Sequence, residues 1–344
     1  MQLSFLNATQ TVIAVGVLCS LLSACSVNGT YSDAREPDAA KLRFIANAPN
    51  ATLDYYDAQY CEGLTTGMLN NMLMANAERR AGMKVAPPAD TKSYLEIKLQ
   101  PGKEAFLRVN TNSGSSVCGN AFNFTPQSGG EYELVFATEP GRCTTLLRRL
   151  THINGGDVRS PLPMFETGLP ACSGRSPLFP APLPSTPQRN ALIDAIIETS
   201  ATSIPHVPEM KYDLEGKLDK LVVERKTLIG SLKLPDEYWA QYRRNLEILE
   251  DDLNNSHERA LEFYKNVYRM RLQRTEDEVL EQWLMPKDGA IRERVAANDK
   301  AMVLYYANTA KSVALETMDN HLARMSQLDQ QFGVCERFLD CWRY

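Results

Sequence analysis

The chain has 344 residues, with 37 Lys and Arg against 42 Asp and Glu and a formal net charge of −5. No basic block occurs, so the broad cationic face of a nucleic-acid binder is excluded. Apolar residues make up 44%, and the length suffices for two ordinary domains once a targeting segment is set aside.

The first element is an apolar run, TVIAVGVLCSLLSA, over residues 11–24, and no charged residue precedes Asp33. It is shorter than the roughly 20 residues a helix needs to cross a bilayer, and it suits the apolar region of an export signal. The run ends in Leu22-Ser23-Ala24-Cys25: an aliphatic residue three before the cysteine, then two small residues. This stretch resembles the lipobox of bacterial lipoproteins, which implies cleavage before Cys25 and acylation of Cys25. One feature departs from that pattern, since residues 1–10 contain no Lys or Arg. An ordinary cleaved signal and an uncleaved anchor are the competing readings.

If Cys25 begins the mature chain, 320 of the 344 residues remain. A single acyl chain holds a protein weakly, and a multiply acylated cysteine holds it stably. Residues 25–41 are polar, with Gly and Pro, and are expected to form a flexible lipidated tether reaching about 50 Å. Ser26 follows the cysteine in place of the Asp that in this family implies retention at the inner membrane. The resemblance therefore implies the outer membrane of a Gram-negative cell, with the body in the periplasm.

Six cysteines follow Cys25: Cys61, Cys118, Cys143, Cys172, Cys335 and Cys341. An even count in an exported chain favours disulfides. No Cys-x-x-Cys or Cys/His spacing suits zinc, so no metal is expected.

Residues 42–158 are expected to form a β-sandwich of about seven strands. Apolar and polar residues alternate at 42–48, 52–58, 94–100, 104–110, 121–127, 131–137 and 144–153, with turn-forming residues between many of them. The clearest hairpin is AFNFTPQSGGEYELVF, 121–136. Cys118 and Cys143 flank it and are expected to pair across its base, leaving Cys61 for a partner such as Cys172. Residues 64–88 carry Met68, Met72, Met74 and Met83 and read as a partly helical insertion. The methionines either close the end of the sandwich or form an adaptable partner-binding surface. PGKEAFLRV with the later CGNAFNFTPQSGGEYELVF loosely resembles poorly characterised Gram-negative envelope lipoproteins that carry a small β-sandwich.

Residues 159–187 hold eight prolines and are expected to be a rigid, extended linker. From 188 to 344 the chain reads as a helical hairpin or bundle. Amphipathic segments cover 188–201 and 214–232, and a long helix is expected from Pro235 with Tyr238, Tyr242, Leu246, Leu249, Leu253, His257, Leu261, Tyr264 and Tyr268 on one stripe. MPKDG, 285–289, allows a reversal into a second long helix from Ala290 to Phe332. Cys335 and Cys341 on one helix would lie ~9 Å apart along its axis, too far to bond. If they pair, the helix stops near Gly333 and the tail turns back; the alternative is that one of them ties the tail to Cys172 or Cys61.

No catalytic or cofactor motif is present: no H-E-x-x-H, G-x-S-x-G or phosphate-binding loop occurs, and no Glu or Asp precedes any of His152, His206, His257 or His321 by three residues. The acidic triplets at 250–252 and 276–278 read as solvated helix faces. The expected function is a non-enzymatic binding or scaffold lipoprotein, held to the membrane through Cys25 and docking another envelope protein. An envelope hydrolase and an inhibitor of a toxin or secreted enzyme are the alternatives.

Overall fold

The computed structural model describes residues 28–343 except 113–116, 140–141, 154 and 205–211. The apolar run, Cys25 and His206 lie outside the described residues. The chain divides after Ser160 into a β unit and a helical unit, and among the described residues no helix is long and apolar enough to cross a membrane.

Among the described residues the β unit holds nine strands in two sheets, two more strands than the sequence suggests. They are β1 (Ala40–Ala46), β2 (Ala51–Tyr56), β3 (Leu64–Leu69), β4 (Tyr94–Leu99), β5 (Ala105–Asn112), β6 (Val117–Phe124), β7 (Glu131–Glu139), β8 (Arg142–Ile153) and β9 (Gly156–Pro161). One sheet runs β4-β1-β7-β8-β9 and the other β3-β2-β5-β6. All registered pairs are antiparallel except β1 with β7, where Phe44 sits beside Leu134 in parallel register. Strand side chains alternate between faces, so Leu42 and Phe44, Leu53 and Tyr55, Leu107 and Val109, Phe122 and Phe124, and Tyr132, Leu134 and Phe136 are all buried.

Two expectations fail here for visible reasons. No helix forms in 64–88: Leu64–Leu69 is strand β3, and Asn70 and Asn71 then turn the chain with their own side chains, competing with any helix. The expected hairpin 121–136 is a crossover, because β6 pairs with β5 in one sheet while β7 pairs with β1 and β8 in the other. The connection bonds outward, with Gly102 N donating to Pro126 O and Gly129 N donating to Asp38 O. The Cys118–Cys143 disulfide (Cα separation 6.5 Å) accordingly joins β6 to β8, one sheet to the other, and does not close a hairpin.

Residues 28–39, expected within a flexible tether, lie against the β unit. Thr30 N and Tyr31 N both donate to Thr65 O, Ala34 N donates to Lys98 O, and Asp33 accepts from Lys98 N and pairs with Arg79 at 2.7 Å. A Cβ on Gly29 would fall 2.1 Å from Thr65 O, so only glycine permits this close approach.

In the helical unit, α1 is Pro187–Ala201, α2 Leu218–Ile229, α3 Asp236–Asn254, α4 Ser256–Leu272, α5 Asp277–Leu284 and α6 Gly289–Gln331. The expected long helix from Pro235 is divided at Asn255 into α3 and α4. Its stripe divides too: Tyr238, Tyr242 and Leu246 join one core, Tyr264 and Tyr268 another, and His257 is exposed. The 43 residues of α6 extend roughly 65 Å at 1.5 Å each and serve both cores. Tyr238 meets Asp329 and Arg271 meets Met302, so α3 and α4 run antiparallel to α6.

The Pro-rich stretch is packed onto the helices and is not an extended spacer. Leu162, Leu169, Cys172 and Phe179 are buried, Phe165 stacks on Phe263 at 4.8 Å, and Leu183 N donates to Gln273 O. At the other end Gly333, at φ 61°, stops α6 in the left-handed conformation that glycine tolerates. The tail then folds back so that Cys335 and Cys341 bond at a Cα separation of 5.1 Å.

Candidate functional site

Buried charge is where catalysis is usually found, and the β unit buries a row of it. On one face of the five-stranded sheet, Glu96 of β4, Arg43 of β1, Glu133 of β7 and Arg148 of β8 stand side by side in register. Arg43, 1% exposed, donates to Glu96 Oε1 at 2.9 and 3.1 Å, and it pairs with Glu133 at 3.5 Å. Arg148 and Arg159 pair with the other Glu133 oxygen at 3.3 and 3.4 Å. The segment 77–88 covers this row and completes its bonding: Val85 O accepts from Arg43 at 2.6 Å and Ala81 N donates to Glu96 at 3.0 Å. Lys84 N and Val85 N donate to Glu131. The carboxylates Glu96, Glu131 and Glu133 and the Arg43 guanidinium are matched and buried, with Arg148 and Arg159 half-buried beside them, an arrangement that fixes the segment on the sheet.

Among the described residues, the helical unit buries one carboxylate. Asp329, near the end of α6 and fully buried, accepts from Tyr238 OH at 2.8 Å, from Arg225 Nη2 at 2.6 Å and from Trp342 N at 2.7 Å. Burial pushes the Tyr238 hydroxyl well above its ordinary value, and the Asp329 carboxylate adds to this against the lowering effect of Arg225. One carboxylate thereby ties α2, α3, α6 and the tail together. Its oxygen lies within 4.8 Å of the sulfurs of Cys335 and Cys341, a three-ligand grouping. Those sulfurs are joined to each other, and a metal is held by thiolate, so the cluster as it stands is a lock and not a metal centre.

Other polar groups are similarly engaged. Ser200 donates to Asp299 at 2.9 Å and accepts from Tyr264 OH at 2.8 Å. His152 pairs with Asp157 at 2.8 Å, His257 Nδ1 shares a hydrogen bond with Tyr306 OH at 2.7 Å, and His321 packs edge-on against Trp342. Among the described residues, no histidine is bonded to a serine or cysteine nucleophile. Burial, then the nearby Arg324 cation, lowers the His321 pKa. A cleft of about 50 Å³ between α5 and the start of α6 is lined by Val279, Trp283, Ile291 and Val295, well below the size of ordinary ligand pockets. The acidic residues Glu276, Asp277 and Glu278 are exposed, and Asp277 pairs with buried Arg189, whose other donors reach the carbonyls of Leu272, Gln273 and Thr275 at the end of α4.

The uncommitted chemistry is apolar. Met68 is half-buried in β3, whereas Met72 is 92% and Met74 42% exposed, and between them Leu73 is 93% exposed. The tip is nonetheless firmly built. Asn71 Oδ1 accepts from Leu73 N and Met74 N, and its amide donates to Asn50 Oδ1 and Met68 Sδ. Asn70 N donates to Asn76 Oδ1, and the Asn70 amide donates to the carbonyls of Ala46 and Ala48. The asparagine pair Asn70-Asn71 is a turn signal that the expectation of a partly helical segment passed over, and Leu73 is the residue that reading the methionines alone leaves out. Cys61, Cys118, Cys143, Cys172, Cys335 and Cys341 are all disulfide-bonded.

No family model matches the chain, and no curated protein is significantly similar to it.

Proposed function

We propose that this chain is an exported lipoprotein, attached through Cys25 to the periplasmic face of the outer membrane, whose β-sandwich and helical bundle serve as a non-enzymatic scaffold for another envelope protein. The observation that carries the reading is the oxidation of all six cysteines from Cys61 to Cys341, a state that belongs to oxidising compartments outside the cytoplasm. The lipobox-like Leu22-Ser23-Ala24-Cys25 supplies the attachment. The scaffold role is supported by the closed bonding of the buried charges at Arg43 and Asp329, since an active site needs groups that face a substrate.

The test is a crosslinking pull-down from intact envelopes with the natively processed protein as bait. One reproducible envelope protein, recovered with wild type and lost when the helical unit is removed, is the expected result. Recovery of bait alone from solubilised membranes sinks the scaffold reading. Attachment is checked separately: a clickable fatty-acid analogue should label wild type and leave Cys25→Ala unlabelled, and equal labelling of the two rules out acylation at Cys25.

A further inference from the structure

The Cys335–Cys341 disulfide closes a short loop at the end of α6, with its two cysteines six positions apart. Gly333 stops the helix, Val334–Glu336 form a single short turn, and the chain returns past exposed Leu339 to Cys341. The two sulfurs have unlike surroundings. Cys335 is partly exposed, whereas Cys341 is buried. Arg343, itself exposed, donates from Nε to Cys341 Sγ at 3.1 Å. On the inner side an Asp329 oxygen lies within 4.8 Å of both sulfurs, and Arg225 pairs with that carboxylate at 2.6 Å. Of the three charged groups gathered at the bond two are therefore cations, and the one in contact with sulfur is on Cys341.

The loop is also held by contacts other than the disulfide. Trp342 N donates to Asp329 at 2.7 Å, Asp340 O accepts from Arg225 at 3.4 Å, and Val334 is fully buried in the core that Tyr238 and Leu246 share. These contacts lie on both sides of the bond, so they keep the two thiols close to each other after reduction and let the bond form again.

We propose that Cys335–Cys341 is a thiol–disulfide exchange site for a dithiol reductant, with Cys335 as the attacked sulfur and Cys341 as the leaving thiolate held by Arg343. The proposal goes beyond the scaffold role and does not depend on the anchor at Cys25. One thiolate of the reductant bonds to Cys335 Sγ as the Cys335–Cys341 bond breaks, and the electron pair of that bond leaves on Cys341 Sγ. The reductant's second thiolate then attacks its own sulfur in the mixed disulfide and releases Cys335. The reductant ends as a disulfide, and its two electrons and two protons pass to the pair. Exposure decides which sulfur is attacked. The guanidinium decides which one leaves, because a neighbouring cation stabilises the thiolate and a more stable thiolate departs faster.

The test is brief reduction of the folded full chain with dithiothreitol, alkylation of the released thiols and peptide mapping, with Cys118–Cys143 as the standard within the same molecule. The Cys335–Cys341 bond should open while the tryptophan signal stays native. Arg343→Gln should slow that opening by about threefold or more, Arg343→Lys should restore most of the rate, and Cys118–Cys143 should open at the same rate in all three proteins. A pulse of glutathione should leave its adduct on Cys335. In Cys335→Ser, the Cys341 ionisation, read as the ultraviolet thiolate absorbance that Cys335→Ser/Cys341→Ser lacks, should move up by about half a pH unit or more when Arg343→Gln is added. An unchanged rate and ionisation in Arg343→Gln, an adduct on Cys341, or opening of the bond only together with global unfolding overturns the proposal.

Discussion

The two units bury charge in opposite ways. In the β unit, carboxylates and guanidinium groups lie in a row across adjacent strands, because parallel and antiparallel register places position 43 beside 96 and 133, and 133 beside 148. A covering segment then removes Arg43, Glu96 and Glu133 from water. In the helical unit a single carboxylate, Asp329, collects donors from three distant parts of the chain. A sheet repeats its neighbours and spreads a buried charge over many partners, whereas a bundle brings helices together at few points and concentrates it. The β unit is accordingly expected to be sensitive along a line, and the helical unit at one residue.

The largest effects should come from removing one partner of each buried group, at about 3–5 kcal/mol. Arg43→Met leaves Glu96 and Glu133 without their shared cation, and Asp329→Ala leaves Arg225 and Tyr238 facing each other. Because all three tryptophans lie in the helical unit, urea unfolding followed by fluorescence should show a lower midpoint for Asp329→Ala and little change for Arg43→Met. The far-ultraviolet β signal should shift for Arg43→Met. Equal fluorescence shifts for both variants contradict the separation of the two networks. Arg43→Met combined with Glu96→Leu and Glu133→Leu should regain much of the loss, as buried ion pairs replaced whole by apolar groups commonly do.

Disulfides come next. Cys118 and Cys143 are 25 residues apart and Cys335 and Cys341 six apart, so by loop-closure entropy their removal should cost about 3.5 and about 2 kcal/mol. Serine at both members of each pair tests this by denaturant unfolding, and a reversed order means that the inter-sheet link contributes less than the size of its loop implies.

Acidification separates the units by pH. Burial and the Arg324 cation keep His321 neutral and hold its pKa below the ordinary 6.5, so the unfolded chain takes up the proton first and the helical unit loses stability as pH falls below 6.5. In the β unit, burial alone raises Asp57, but Lys103 at 2.7 Å and the Tyr60 and Gln59 N–H groups outweigh it and hold the carboxyl below 3.8. Its contribution is complete above 3.8 and is lost as pH falls through the lowered value. Stability measured from pH 8 to 3 should therefore decline first in the tryptophan signal, and His321→Gln should flatten that decline. An unaltered profile in His321→Gln rejects the assignment.

The smallest effect is expected at the tip. Met72→Ser/Leu73→Ser removes no buried contact and should change stability by less than about 0.5 kcal/mol. A larger loss, read in the same urea titration, means that these side chains pack in the folded protein after all.

Sequence periodicity was sufficient where structure is local. Alternation at 94–99 and 131–137 marks strands because successive side chains face opposite ways, and the spacing of Met302, Thr309 and Val313 marks α6 because positions three and four apart share a helix face. Gly333 marks the end of α6 through backbone freedom, again a local property. Beta-strand β3 escaped notice because Thr65, Thr66 and Gly67 give LTTGML no clean apolar alternation, and β9 because GDVRSP is largely exposed. The tip was read as part of a helical insertion whose methionines either close the sandwich or lie exposed, and the Asn70-Asn71 pair that turns the chain there went unread.

What the sequence by itself determined is the division into an alternating half and a helical half and the helix stop at Gly333. Only the tertiary structure decided that 121–136 crosses between sheets, that residues 28–34 clasp β3, that the prolines of 161–187 wrap the helices, and that Arg43 and Asp329 find their partners. Those outcomes depend on contacts between residues tens of positions apart, selected by which pairing satisfies every buried donor and acceptor at once, and no window of sequence contains that condition.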